Sequence, residues 1–160
     1  MTYPESRYLA ETGEVSATLR RATSEPDLVY PTGTTVHYLA TGHSTDGLFG
    51  LYRWTMGQRP GGPEPHFHRT IAESFFVLEG SVRIYTGERW VDTGPGDFVH
   101  VPPGGIHAFR NESGPASMLI HFVPGAPRER YFEGLAEFGR SGRPDEAGME
   151  EFLRQHDQYR

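Results

Sequence analysis

Three of the chain's eight histidines and one glutamate are spaced as a metal-binding set would be. In PEPHFHRTIAESFFVLEG, His66 and His68 lie two apart on a predicted strand, so their side chains share one face. Glu73 follows five residues later at the start of the next apolar run, and a bend at Arg69-Thr70 would turn its carboxylate back towards the same cavity. His107 lies 34 residues beyond Glu73, after a Pro-Gly turn, in PPGGIHAF. Three imidazoles and one carboxylate are a ligand set for a borderline divalent metal, with positions left open for water, substrate or dioxygen. A His-x-His pair alone is a weak signal. Glycines and prolines at fixed offsets around it give the pattern its weight.

Bringing four such side chains into one cavity takes many short elements joined by tight turns. Glycine (20) and proline (13) punctuate runs rich in Val, Ile, Phe, Tyr and Thr. The predicted strands are TTVHYLA, LFGLYRWTM, EPHFH, ESFFVLE, SVRIYT, RWVDT, DFVHVP, IHAFRN and ASMLIHFV, broken at PGGP, Glu79-Gly80, Gly87, GPG, PPGG and NESGP. Strands at this spacing predict an all-β sandwich or barrel. After Pro127 the period changes. Tyr131, Phe132, Leu135 and Phe138 are spaced for one helix, and Met149, Phe152 and Leu153 for a second, behind a capping Asp145. Both helices are expected on the outside of the β unit. The domain reading is an N-terminal arm or edge strand at 1–35, the β unit at 36–125 and a helical segment at 126–160.

Composition narrows the function classes. A chain of 160 residues with 36% hydrophobic and 22% charged residues fits one domain with a real core. No run approaches the roughly 20 apolar residues of a spanning helix, and the N-terminus lacks a secretory layout. The expectation is therefore a cytoplasmic protein without membrane partners. A net charge of −6 gives no compositional support to nucleic-acid binding. The chain has no cysteine, which excludes disulfides and thiolate ligands, and no lysine, which excludes Schiff-base chemistry.

The arrangement resembles the cupin family. That family's first motif runs Gly, five residues, HxH, three or four residues, Glu, six residues, Gly. His66, His68, Glu73 and Gly80 match it, whereas Pro60 stands at the leading glycine, with Gly61 and Gly62 beside it. The second motif runs Gly, five residues, Pro-x-Gly, two residues, His, three residues, Asn, and Gly96, Pro102, Gly104, His107 and Asn111 match throughout. Fifteen residues separate the motifs. The resemblance implies a double-stranded β-helix, or jelly-roll barrel, over 36–125. It also implies one divalent transition metal per chain (Fe, Mn, Ni, Co or Zn) on His66, His68, Glu73 and His107, and a homodimer joined through edge strands and N-terminal segments.

By strand alternation Phe75 and Val77 share the inward face with Glu73, and Phe109 shares that of His107. His37, Tyr38 and His121 are candidates for an acid or base beside the metal, and His100 for lining the cavity. Glu64 reads as a solvated loop carboxylate, and His43 and His156 as surface residues. Three functions fit such a site. The first is a dioxygenase acting on a phenolic or enolic, flavonol-like molecule, with Glu73 as catalytic base; small quercetin-dioxygenase-like proteins show the same order of motifs. The second is a non-oxidative polyketide cyclase or isomerase using the metal as a Lewis acid. The third is a non-catalytic module that binds a small molecule.

Overall fold

The computed structural model describes residues 1–160. Nine strands come first and two helices last: β1 (Leu28–Val29), β2 (Thr35–Ala40), β3 (Gly50–Met56), β4 (Ala72–Glu79), β5 (Val82–Tyr85), β6 (Trp90–Thr93), β7 (Phe98–Val101), β8 (Ala108–Arg110), β9 (Ala116–Val123), α1 (Arg128–Ser141) and α2 (Glu146–Gln155). The strands form two antiparallel sheets, one ordered β1-β2-β3-β9-β4-β7 and the other β6-β5-β8. The fold is all-β with short C-terminal helices, as expected. No helix is long and apolar enough to cross a membrane.

Alternation decides what faces inward. Along β3, Tyr52, Trp54 and Met56 are buried while Leu51, Arg53 and Thr55 are not; along β9, Met118, Ile120 and Phe122 are buried and Leu119 and His121 less so. Phe75 of β4 meets Phe109 of β8 across the two sheets, with ring centroids 5.6 Å apart. Each such side chain removed from water contributes about 1.5–3 kcal/mol.

Two expectations change, those for EPHFH and for the helices. EPHFH forms no continuous strand, because Pro63 and Pro65 withhold the amides a ladder needs; only single bridges pair His66 with His107 and Phe67 with Tyr159. Edge strand β1 falls within the predicted arm, while residues 1–20 have no regular structure and are exposed. Finally, the helices do more than coat the exterior. Phe132 of α1 enters the barrel's apolar core, its ring 5.2 Å from Tyr52 and 5.1 Å from Trp54, and Met149 and Leu153 of α2 are buried in the same core. Asp145 caps α2 as predicted, accepting a hydrogen bond from the Gly148 amide at 2.9 Å.

Candidate metal centre

His66, His68, Glu73 and His107 converge in the interior. One ligand atom from each lies within 4.8 Å of all the others, and all four residues are buried. The segment carrying the first two is pinned on both sides. His66 and His107 exchange backbone hydrogen bonds of 3.0 and 2.8 Å, Gly104 donates its amide to His68 O at 2.7 Å, and Phe67 is tied to Tyr159 in both directions. The Pro-Gly turn thus delivers His107 and also holds the strand-like segment beside it. Glu73 sits on β4, in register with Phe122 of β9 and Val101 of β7.

Each imidazole is fixed through Nδ1. His66 Nδ1 lies 2.8 Å from Glu64 O, His68 Nδ1 2.6 Å from Asp157 O, and His107 Nδ1 2.9 Å from Gly105 O. A carbonyl oxygen only accepts, so Nδ1 carries the proton in all three and Nε2 faces the cluster. Glu73 Oε2 receives His68 Nε2 at 3.0 Å and His107 Nε2 at 2.9 Å. Burial, reinforced by His107, pushes His66 down to about 3, so that ring is neutral. Burial would raise Glu73, but the hydrogen bonds from His107 and His68 outweigh it and hold the carboxyl well below its usual range. Burial would lower His107, and the Glu73 carboxylate overrides it. Once the Nε2 protons shared with Glu73 are displaced, the three Nε2 atoms, oriented from behind, and the ionised carboxylate are a donor set suited to a divalent transition ion.

A cavity of about 280 Å³ opens beside His66 and Glu73, near the lower end of small-molecule pockets, roughly 300–1,000 Å³. Its apolar wall includes Trp54, Met56, Phe109, Ile120, Phe122 and Phe132. Phe75 and Val77 are buried on the Glu73 face, as alternation requires.

The weaker candidates are not brought to the cluster. His37 turns away from the barrel interior, its Nε2 3.1 Å from Ser24 O, and Arg53 is its partner on the neighbouring strand. Tyr38 packs edge-on against Tyr52, and its hydroxyl faces Glu133 at 3.4 Å. His121 lies on the outer face against Phe49, and His100 is there too, 3.0 Å from Ser74 Oγ. Glu64 is exposed but lines the cavity, and its carbonyl orients His66. His156 is half-buried between Tyr131 and Phe152 and not a free surface group.

Sequence reading missed Arg128, Gln158 and Asp157, which reach the site from 21 or more residues beyond His107. Nothing local marks them. Asn111 holds the loop before the ligand pair: its side-chain amide donates to Gly57 O and Gly114 O, and its Oδ1 accepts from the Gly61 amide. It thereby anchors the loop that departs from the expected glycine. In that loop Gly62 has φ +154°, and a Cβ there would lie 1.7 Å from Phe109 O. The closest approach has moved two residues on from Pro60. Gly80 is similarly required, with φ +70° and Pro115 O 2.3 Å from where a Cβ would stand.

Residues 53–122 match the family described as cupin domain. The chain carries a cupin domain over those residues. This cupin is 31% identical over 135 residues to the quercetin 2,3-dioxygenase of Bacillus subtilis (strain 168), covering 76% of its own length and 40% of that protein. It therefore spans about two fifths of that relative. Among solved structures it is similar to KdgF from Halomonas sp. (TM-score 0.61, 14% identity, covering 72% of this cupin and 99% of that chain). It is similar also to the polyketide cyclase RemF from Streptomyces resistomycificus (TM-score 0.58, 24% identity, covering 71% and 82%). At these identities the likeness is one of fold.

Proposed function

We propose that this cupin is a mononuclear metal-dependent enzyme, a dioxygenase acting on a phenolic or enolic, flavonol-like small molecule. The observation that carries the reading is the buried His66-His68-Glu73-His107 cluster opening on an aromatic-walled cavity. The likeness to a quercetin 2,3-dioxygenase supports it. The four residues would hold one divalent transition ion (Fe, Mn, Ni, Co or Zn), which when bound supplies a Lewis acid and a place for substrate and dioxygen to meet.

The chain's own residues do the rest. The backbone carbonyls behind the three rings fix each Nε2 on the cluster. Trp54, Phe109 and Phe132 offer flat apolar surface to a planar ring and keep water away from it. Glu73, the one carboxylate in the cluster, is the group positioned to accept the enol proton. We read residues 1–35, 36–125 and 126–160 as arm, barrel and helical segment of a cytoplasmic homodimer, which sedimentation checks.

The test is elemental analysis of the purified protein, followed by oxygen uptake on a panel of flavonols and enols after loading with Fe(II), Mn(II), Ni(II) or Zn(II). The expected result is about one metal per chain, lost in His66→Ala and His107→Ala, with uptake that depends on the ion. Stoichiometric metal without uptake would replace this reading with a Lewis-acid cyclase or isomerase. Absence of metal would end the site assignment.

A further inference from the structure

The cavity wall contains a buried cation that forms no ion pair with the chain. Arg128, the first residue of α1, is 4% exposed and lines the same cavity as His66 and Glu73. Its Nη1 donates to His156 O at 2.7 Å, and its Nη2 reaches Gln158 Oε1 only at 3.4 Å. Its Nε is buried without a partner. Arg83 and Arg110 also have buried Nε atoms, but each of those faces a carboxylate, Asp92 at 2.8 Å and Glu112 at 2.6 Å. Arg128 belongs to none of the chain's ion pairs. The guanidinium instead lies over aromatic faces, 4.2 Å from the Tyr131 centroid and 5.1 Å from that of Phe122.

A charge taken out of water without a counter-charge is costly, and aromatic faces recover only part of that cost. Such a group persists where its counter-charge arrives with a ligand. The balance of the cavity agrees: Arg128, Arg143 and Arg160 line it against Glu64 and Glu73, and a divalent ion on the cluster would add to the positive excess. The planar fork of a guanidinium matches the two oxygens of a carboxylate.

We propose that Arg128 is a specificity residue that binds a carboxylate on the substrate, so that the cavity accepts an aromatic or enolic acid in preference to its neutral counterpart. The inference rests on the reading of this cavity as the substrate pocket. It also places α1, which follows the last strand of the barrel, in control of substrate choice.

The experiment is calorimetric titration of the purified protein with benzoate and with benzamide, a neutral analogue of the same shape, with metal content measured on the same sample. Wild type is expected to bind benzoate about tenfold or more tighter than benzamide. Arg128→Gln is expected to lose that preference while binding benzamide as wild type does, and Arg128→Lys to keep part of it. Because Arg128 also holds His156 O, thermal melting accompanies each titration. If Arg128→Gln does not fold, the wild-type ratio and its reduction in Arg128→Lys decide the matter. Equal binding of the two probes, no saturable benzoate binding, or a preference that survives in Arg128→Gln would overturn the proposal. A wild-type protein that lacks metal yet prefers benzoate would sink the oxygenase reading and support the role of Arg128.

Discussion

His68 donates its Nδ1 proton to the main-chain oxygen of Asp157, 2.6 Å away and 89 residues further along the chain. The Asp157 carboxylate meanwhile accepts from the amides of Arg69 and Thr70 at 3.1 and 2.9 Å and from Thr70 Oγ1 at 2.6 Å. One residue thus orients an imidazole with its backbone and holds the following bend with its side chain. The turn is tight: Asp157 has φ +55°. A prediction follows for Asp157→Ala, which leaves the carbonyl in place but releases the bend. Metal affinity should fall about tenfold and stability by on the order of 1–3 kcal/mol. Competition with a chelator measures the first and urea unfolding the second; unchanged affinity would mean that the bend needs no clamp.

The metal should stabilise the fold, because its ligands converge only in the native state. Adding an ion that binds, at about a hundred times its dissociation constant, should raise the unfolding free energy by roughly 2.7 kcal/mol. In His107→Ala the increment should vanish. Denaturant titrations with and without metal make the comparison, and an equal increment in the variant would place binding elsewhere.

Gly62 and Gly61 are adjacent but not equivalent. A Cβ at Gly62 meets Phe109 O at 1.7 Å, whereas one at Gly61 meets nothing within 4 Å. Gly62→Ala should therefore cost more than about 3 kcal/mol, and Gly61→Ala less than about 1 kcal/mol. Thermal melts of the two variants side by side test the pair. Similar losses would show that the loop gives way without cost.

Asn111 is 1% exposed and satisfies carbonyls on both sides of it. Asn111→Ala should strand them and cost about 2–4 kcal/mol. The four ligands are untouched by this change, so metal stoichiometry should persist. Loss of metal with full stability would reverse that assignment of roles.

Alkaline pH acts on a different set of groups. Burial raises the hydroxyls of Tyr30, Tyr38, Tyr52 and Tyr131, with Glu129 adding to the effect at Tyr52 and Glu133 at Tyr38. A raised folded pKa contributes stability that is complete below the unfolded value, about 10, and is lost as pH climbs above it. The tyrosine contribution should therefore be flat across neutral pH and fall above about pH 10. Ultraviolet titration should show these four phenols ionising only as the chain unfolds. Ionisation of all the tyrosines in a folded protein would contradict the burial.

The convergence of the four residues was legible because each carries a local mark and the two motifs together resemble the cupin pattern. HxH on an alternating segment, a carboxylate after a short bend and a histidine behind a Pro-Gly turn each follow from spacing within a few residues. Local sequence could not fix strand parity. Val36 and Tyr38 share one face of β2 and His37 the other, yet nothing in TTVHYLA says which face is inward until the strand has a partner. The same ambiguity made His121 a candidate, and its neighbours Ile120 and Phe122 took the interior. Arg128 and Asp157 were invisible for a stronger reason. Their roles arise from contacts with residues dozens of positions away, in helices that sequence periodicity identified but could not dock.

The course of the chain through the cavity has a consequence for its making. His66, His68, Glu73 and His107 all precede α1, whereas Arg128 begins α1 and Asp157 follows α2. On the ribosome the barrel therefore emerges with its ligands but without its clamp or its cation. A nascent chain that has emerged only as far as β9 lacks both the carbonyl that orients His68 and the guanidinium proposed to select the substrate.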